Sequence, residues 1–247
     1  MKQLLWMALL CCACTKSESA TDETPNTDPG QKYVQGKVTD TNGNAIKGAR
    51  IIVDNTIYYN SGTTGTTDAN GYYKIPVEIG SWRVYAEIDR TFNEQTFKKL
   101  ELFPDKDNAF AGADGATVNF KWKLEGEKPA PLVGFFGGTA YLYPDSESDI
   151  RDSENIEFTF TPVGNLIDGN PGHVLMRKGG KPQTSTYSQV PDIPIGKYNI
   201  TAKHVPSGKV LKLRTAYEGS YTSNMIAGFD PELNFCSRCL TIQFTDR

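Results

Sequence analysis

Cys236 and Cys239 stand three residues apart in a 247-residue chain that holds five cysteines. A Cys-x-x-Cys pair supports three chemistries: a structural disulfide, a redox dithiol, or half of a zinc site. A redox pair wants its first thiol at a helix N-terminus, where the thiol pKa falls. Here the pair leads into Leu240-Thr241-Ile242-Gln243-Phe244, whose alternation predicts a strand. Zinc would need two further ligands, and the only histidines, His173 and His204, are isolated. A disulfide or an unpaired thiol pair therefore stands ahead of the other readings, and a redox enzyme using Cys236 and Cys239 remains the alternative. Other catalytic signatures are missing: there is no His-Glu-x-x-His, no Gly-x-Ser-x-Gly and no phosphate-loop glycine pattern. Asp105-Lys106-Asp107-Asn108 opens like a calcium loop, but Ala109 and Phe110 occupy its fifth and sixth places. Asp145, Glu147, Asp149 and Asp152 read as a solvated acidic loop. No catalytic residue, no metal and no cofactor is expected.

The remaining chemistry is binding and attachment. Tyr58 and Tyr59 adjoin a Gly/Thr-rich loop at 61–66, and Tyr141 and Tyr143 share the outer face of an expected strand. Exposed tyrosine rings offer apolar area with a polar tip, suited to stacking on sugar rings or to a protein contact. Strand propensity alone also favours tyrosine. At the N-terminus, one lysine precedes a short apolar run from Leu4 to Ala13, and Cys14 follows directly. The run is about half of the roughly 20 residues that a membrane span needs and has the parts of a secretory signal. It resembles a bacterial lipobox, which implies cleavage after residue 13 and acyl chains on Cys14. The departures are Cys11 and Cys12, where that pattern usually has a leucine and a small residue. Each buried methylene contributes about 0.8 kcal/mol, so several acyl chains give a stable anchor.

Composition agrees with export. The chain is 22% charged and 38% hydrophobic, with 23 glycines and 14 prolines, and its formal net charge is −3. Loss of residues 1–13 removes only Lys2 among the charges. Mild acidity excludes the basic footprint of a nucleic-acid binder. Residues 14–32 lack large apolar side chains and predict a flexible tether, with a root-mean-square span of roughly 20–25 Å. Its early acids, Glu18, Asp22 and Glu23, resemble export signals of Bacteroidetes lipoproteins. Partners are therefore expected to be a membrane, through the lipid, and a glycan or an envelope protein. The expected location is the outer membrane, on its periplasmic or cell-surface side.

From Tyr33 onward the hydrophobic period is two. Val34, Gly36 and Val38 alternate with Gln35, Lys37 and Thr39, and Ala49, Ile51 and Val53 with Arg50, Ile52 and Asp54; Trp82, Val84, Ala86 and Ile88 share one face, as do Val118, Phe120, Trp122 and Leu124. Such alternation predicts strands with one buried face, and Asp40-Thr41-Asn42-Gly43 and Asp68-Ala69-Asn70-Gly71 supply turns. No long amphipathic helix is evident. A Pro-rich linker is expected at 126–134, and a second strand-rich unit at 135–247. Ile193–Ala202 faintly echoes Val77–Ala86.

The runs Gly36–Ile51 and Thr67–Ile75, followed by Gly80-Ser81-Trp82-Arg83-Val84-Tyr85-Ala86, resemble carboxypeptidase regulatory-like domains over roughly residues 33–125. Ala45 replaces a usual proline. The resemblance implies a transthyretin-like, carbohydrate-binding-like β-sandwich and no catalytic chemistry. The expectation is an all-β chain of two small antiparallel β-sandwiches in tandem, acting as a noncatalytic binding or scaffolding module. A passive structural spacer is a further alternative.

Overall fold

A computed structural model describes residues 30–233 and 236–247. The first half supplies β1 (Lys32–Thr39), β2 (Arg50–Asn55), β3 (Gly62–Thr66), β4 (Tyr72–Val77), β5 (Ser81–Phe92) and β6 (Gln95–Glu101). Four two-residue strands follow: β7 (Phe103–Pro104), β8 (Phe110–Ala111), β9 (Ala116–Thr117) and β10 (Phe120–Lys121). The second half supplies β11 (Gly138–Pro144), β12 (Ile156–Pro162), β13 (Leu175–Lys178), β14 (Gln189–Ile193) and β15 (Lys197–His204), then β16 (Val210–Thr215), β17 (Met225–Gly228), β18 (Asp230–Leu233) and β19 (Cys236–Thr245). Among the described residues the one helical element is a 3-10 turn at Ser153–Asn155, and no helix is long and apolar enough to cross a membrane.

The first half stacks two sheets, ordered β4-β1-β10-β7 and β3-β2-β5-β6. Their inner faces carry the alternating residues: Val34, Val38 and Ile75 from one, Ile51, Val53, Val84 and Ala86 from the other, all buried. Each of these valine and isoleucine side chains contributes about 1.5–3 kcal/mol when fully removed from water. The repeated Asp-x-x-Gly turn has a physical cause. Asp40 Oδ1 accepts the amides of Asn42 and Asn44, and Asp68 Oδ1 accepts those of Asn70 and Tyr72. The glycines that close these turns, Gly43 and Gly71, sit at φ +86° and +77°, where side chains with a Cβ are disfavoured.

The ladders are mixed rather than wholly antiparallel. β1 runs parallel to β9 and β10, and β11 runs parallel to β19. In both halves the chain leaves through other strands before it returns beside an early one, and that return sets a parallel direction.

The second half is one folded sheet, ordered β13-β12-β15-β16-β19-β11-β14. β16 changes partner along its length. Val210 and Leu211 pair with β15, whereas Lys212 to Thr215 pair with β19. One sheet thereby bends into two layers. Phe158, Phe160, Tyr198, Leu213, Ile242 and Phe244 fill the space between them, with Tyr198 edge-on to Phe160 at 5.8 Å. The Tyr198 hydroxyl donates to Pro194 O at 2.7 Å, so its polar tip is satisfied.

Residues 32–247 form one compact unit. The segment between the halves doubles back: Lys128 N–H donates to Gly134 O and Phe136 N–H to Gly126 O. Asp192 fastens it by accepting the amides of Gly126 and Gly137, and Phe136 packs edge-on to Phe103 at 6.1 Å. Thr41 donates to Asp168 Oδ2 at 2.7 Å, and Gln95 to Asp230 Oδ1 at 3.4 Å. These contacts lie at the end of the first half opposite Lys32, which pairs with Val77.

The C-terminus is pinned to an acidic loop. Asp246 accepts from Lys209 Nζ at 2.7 Å, from Asp149 N–H at 3.0 Å and from Ser148 Oγ at 3.1 Å. The Lys209 hydrogen bond foremost, together with these others, holds the Asp246 carboxyl well below its ordinary 3.8, against the opposing effect of burial. A depressed folded-state pKa adds stability above the ordinary value, and that stability is lost as pH falls through the folded one. Asp246→Asn is expected to lower the thermal midpoint at pH 7. The difference from the parent chain should shrink steadily below pH 4, which calorimetry across pH would check.

Candidate functional site

Three strands of the second half set Arg214, Gln243 and Tyr143 in one row. Arg214 on β16 pairs with Gln243 on β19, which pairs with Tyr143 on β11. The next row holds Thr241, Tyr141 and Gln189. Alternation turns Leu142, Leu213 and Ile242 inward, so these rows face outward. The segment between β16 and β17 folds over this face. Tyr217 stacks obliquely on Tyr143 with ring centroids 6.0 Å apart, and the Arg214 guanidinium lies over the Tyr221 ring at 4.4 Å.

The polar groups are interlocked. Gln243 Oε1 accepts from Arg214 Nε at 2.9 Å and from Tyr217 N–H at 3.3 Å. The Tyr221 hydroxyl donates to Asp145 Oδ2 at 2.6 Å. That bond, with the Glu147 amide and then Arg214, lowers the Asp145 pKa. Burial, then the bond to Asp145, pushes the Tyr221 hydroxyl up to about 12. Burial also raises Tyr143, with Tyr217 and Tyr141 adding to the effect. These phenols keep their protons at neutral pH, so they serve as hydrogen-bonding tips rather than as bases. Tyr217 is 72% exposed and holds φ +66°, a conformation that bulky residues rarely adopt and that clusters at functional sites. The result is a platform of ring faces bordered by a guanidinium and a carboxylate, with the buried Gln243 amide beneath it.

Tyr141 and Tyr143 share the outer face expected of them, but both are half-buried. Loop residues cover Tyr143, a tertiary effect that strand alternation cannot report. Tyr58 and Tyr59 lie elsewhere, on the β2–β3 loop, at the end of the first half where β1 begins. They are 67% and 100% exposed, beside Ile57 at 66%. Thr56 ties this loop to Ser81 by a 2.6 Å hydroxyl bond, next to the turn that carries Ile79. The platform and this tip are not brought together. Tyr217 and Tyr221 escaped the sequence reading, because they flank Glu218-Gly219-Ser220, which reads only as a turn. Their sole signal was two tyrosines within a turn-rich stretch.

Cys236 and Cys239 are bonded to one another, with Cα atoms 6.2 Å apart. Cys239 is buried near the start of a long strand, β19, and the pair does not stand at a helix N-terminus. His204 touches Ser207 Oγ through Nδ1 at 2.8 Å and Asp152 Oδ2 through Nε2 at 3.1 Å. The trio has the residue types of a hydrolase triad, yet Ser207 sits exposed in the β15–β16 turn, and its oxygen also accepts the Lys209 amide. Its role is to staple that turn to the 3-10 turn. Among the described residues no three His, Cys, Asp or Glu side chains group as metal ligands. Asp105 instead accepts both the backbone and the side-chain amide of Asn119. Cys14 lies outside the described residues.

No curated protein matches the chain. Among solved structures it is similar to the Bacillus anthracis TIE protein, at 17% identity and TM-score 0.32, over 87% of this chain and 34% of that one. It is similar to a streptococcal ancillary pilin at 14% identity and TM-score 0.28, over 90% and 64% of the two chains. A DUF3823 family protein from Parabacteroides merdae follows at 10% identity and TM-score 0.25, over 81% and 99%. The chain thus spans about a third of the first protein's length and just under two thirds of the second's. Residues 33–110 match the carboxypeptidase regulatory-like domain family. This family match agrees with the stacked sheets and paired Asp-x-x-Gly turns of that segment: residues 33–110 carry a carboxypeptidase regulatory-like domain.

Proposed function

We propose that this chain is a noncatalytic, lipid-anchored envelope module that binds a glycan through the tyrosine face of its second half. The observation that carries the reading is the Tyr143–Tyr217 ring pair beside the Arg214–Gln243 and Tyr221–Asp145 hydrogen bonds. A sugar presents an apolar C–H face and a rim of hydroxyls. Ring faces cover the first, and fixed donors and acceptors meet the second.

β1 starts at Lys32, beside the loops that carry Tyr59 and Ile79, and the second half docks at the far end of the first. A glycan array probed with the full chain carrying Cys14→Ser tests the reading, with Tyr143→Ala/Tyr217→Ala as the control. Saccharides retained by the parent and lost by the variant support it. Equal retention by both refutes the tyrosine platform as the site, and no retention by either refutes glycan binding and leaves the passive-spacer reading.

The anchor has its own test. Intact-mass analysis of the protein from membranes is expected to show a chain that starts at Cys14 and carries acyl groups. Cys14→Ser should move it to the soluble fraction. An unmodified thiol at Cys14 would refute the anchor.

A further inference from the structure

A second concave surface lies between β6 and the β18–β19 pair, about 870 Å³ in volume. Four cations, Lys98, Lys99, Lys128 and Arg238, and two carboxylates, Glu101 and Glu232, line it. The chain as a whole is acidic, at −3, so this local excess of positive charge runs against the average. Clefts focus such fields, and ligand sites favour the seams between packed units.

Two local distortions mark the walls of the cleft. Ile88 pairs with Leu100 and Arg90 with Phe97, so Lys98 and Lys99 together oppose the single Asp89. This is a β-bulge, which redirects side chains. It leaves Lys99 at φ +52°, with its amide donating to Asp89 Oδ1 at 2.8 Å. On the facing wall, the Cys236–Cys239 bond closes a short loop around Arg238, which stands at φ +58°.

The buried charges do not balance. The side chains of Lys128 and Arg238 are only 6% and 16% exposed, and both approach the same oxygen, Glu101 Oε2. Arg238 stays 3.6 Å away, beyond hydrogen-bond distance. One carboxylate thus faces two largely desolvated cations, a costly arrangement unless a further anion completes it.

We propose that this cleft binds an oxyanion group, a carboxylate or a phosphate, with Arg238 and Lys128 as its inner contacts and Lys98 and Lys99 at its rim. The volume fits a molecule of sugar size better than a bare ion. The site is separate from the tyrosine platform: Arg238 and Gln243 are five residues apart on β19, about 17 Å along an extended strand.

Calorimetric titration of the full chain carrying Cys14→Ser, in phosphate-free buffer at low salt, tests this. Glucuronate, inorganic phosphate and neutral glucose are the three probes. Both anions are expected to bind and glucose is not. Tighter binding of glucuronate assigns the anion to a saccharide, and tighter binding of phosphate assigns it to the free ion. Arg238→Gln is expected to weaken the anion at least tenfold. Should that variant fold poorly, Lys98→Gln/Lys99→Gln, on exposed side chains, is expected to weaken it about threefold. Tyr143→Ala/Tyr217→Ala should leave it unchanged, which separates this site from the glycan platform. No heat from either anion at millimolar concentration, or unaltered affinity in both cation variants, would overturn the proposal.

Discussion

Tyr143→Ala combined with Tyr217→Ala is expected to weaken saccharide binding at least tenfold. The two rings stand 6.0 Å apart and present the principal apolar area of the platform. An aromatic contact contributes about 0.5–1.5 kcal/mol beyond the area that it buries, and each 1.4 kcal/mol is about tenfold in affinity. Two such contacts sum to about 1–3 kcal/mol before the buried area is counted, which places the expected loss at tenfold or more once that area is added. Tyr217 is mostly exposed and Tyr143 half-buried, so the variant should still unfold cooperatively. Its melting curve separates lost binding from lost fold. Tyr58→Ala/Tyr59→Ala, at the opposite end, is expected to leave this affinity intact.

Gly36→Val is expected to destabilise the first half by at least about 3 kcal/mol, the range of severe overpacking. A Cβ at Gly36 would stand 1.8 Å from Val118 O and 2.7 Å from Val118 C. Those are backbone atoms. The same oxygen accepts the buried Tyr73 hydroxyl at 2.6 Å, so moving it also breaks a buried hydrogen bond. Gly43→Ala is the contrast: its φ is +86°, but nothing lies within 4 Å. It should cost about 1–2 kcal/mol, from the left-handed conformation alone. Urea denaturation of both variants measures the difference.

Alternation made much of the fold legible. Val84, Ala86 and Ile88 are buried together, as their period of two requires. The Asp40 and Asp68 turns were readable because each is closed by its own side chain within five residues. Contacts between distant segments were not readable. The parallel pairing of β11 with β19 joins residues about a hundred positions apart, and no local signal encodes it. The change of partner within β16 is likewise invisible in Val210–Thr215, whose alternation looks the same on either side. The platform was half legible. Tyr141 and Tyr143 declare themselves by strand parity, whereas Tyr217 and Tyr221 reach the site through a loop that only tertiary packing positions. The charged cleft left no trace in sequence, since its lysines and Arg238 come from three separate segments.

The most direct test of the platform is fluorine NMR of the full chain labelled with 3-fluorotyrosine, titrated with the saccharide best retained on the array. Tyrosine-to-phenylalanine variants assign the resonances. The account predicts ligand-dependent shifts at Tyr141, Tyr143, Tyr217 and Tyr221, with Tyr58 and Tyr59 unmoved. Shifts confined to Tyr58 and Tyr59, or binding that moves none of the four platform tyrosines, would contradict it.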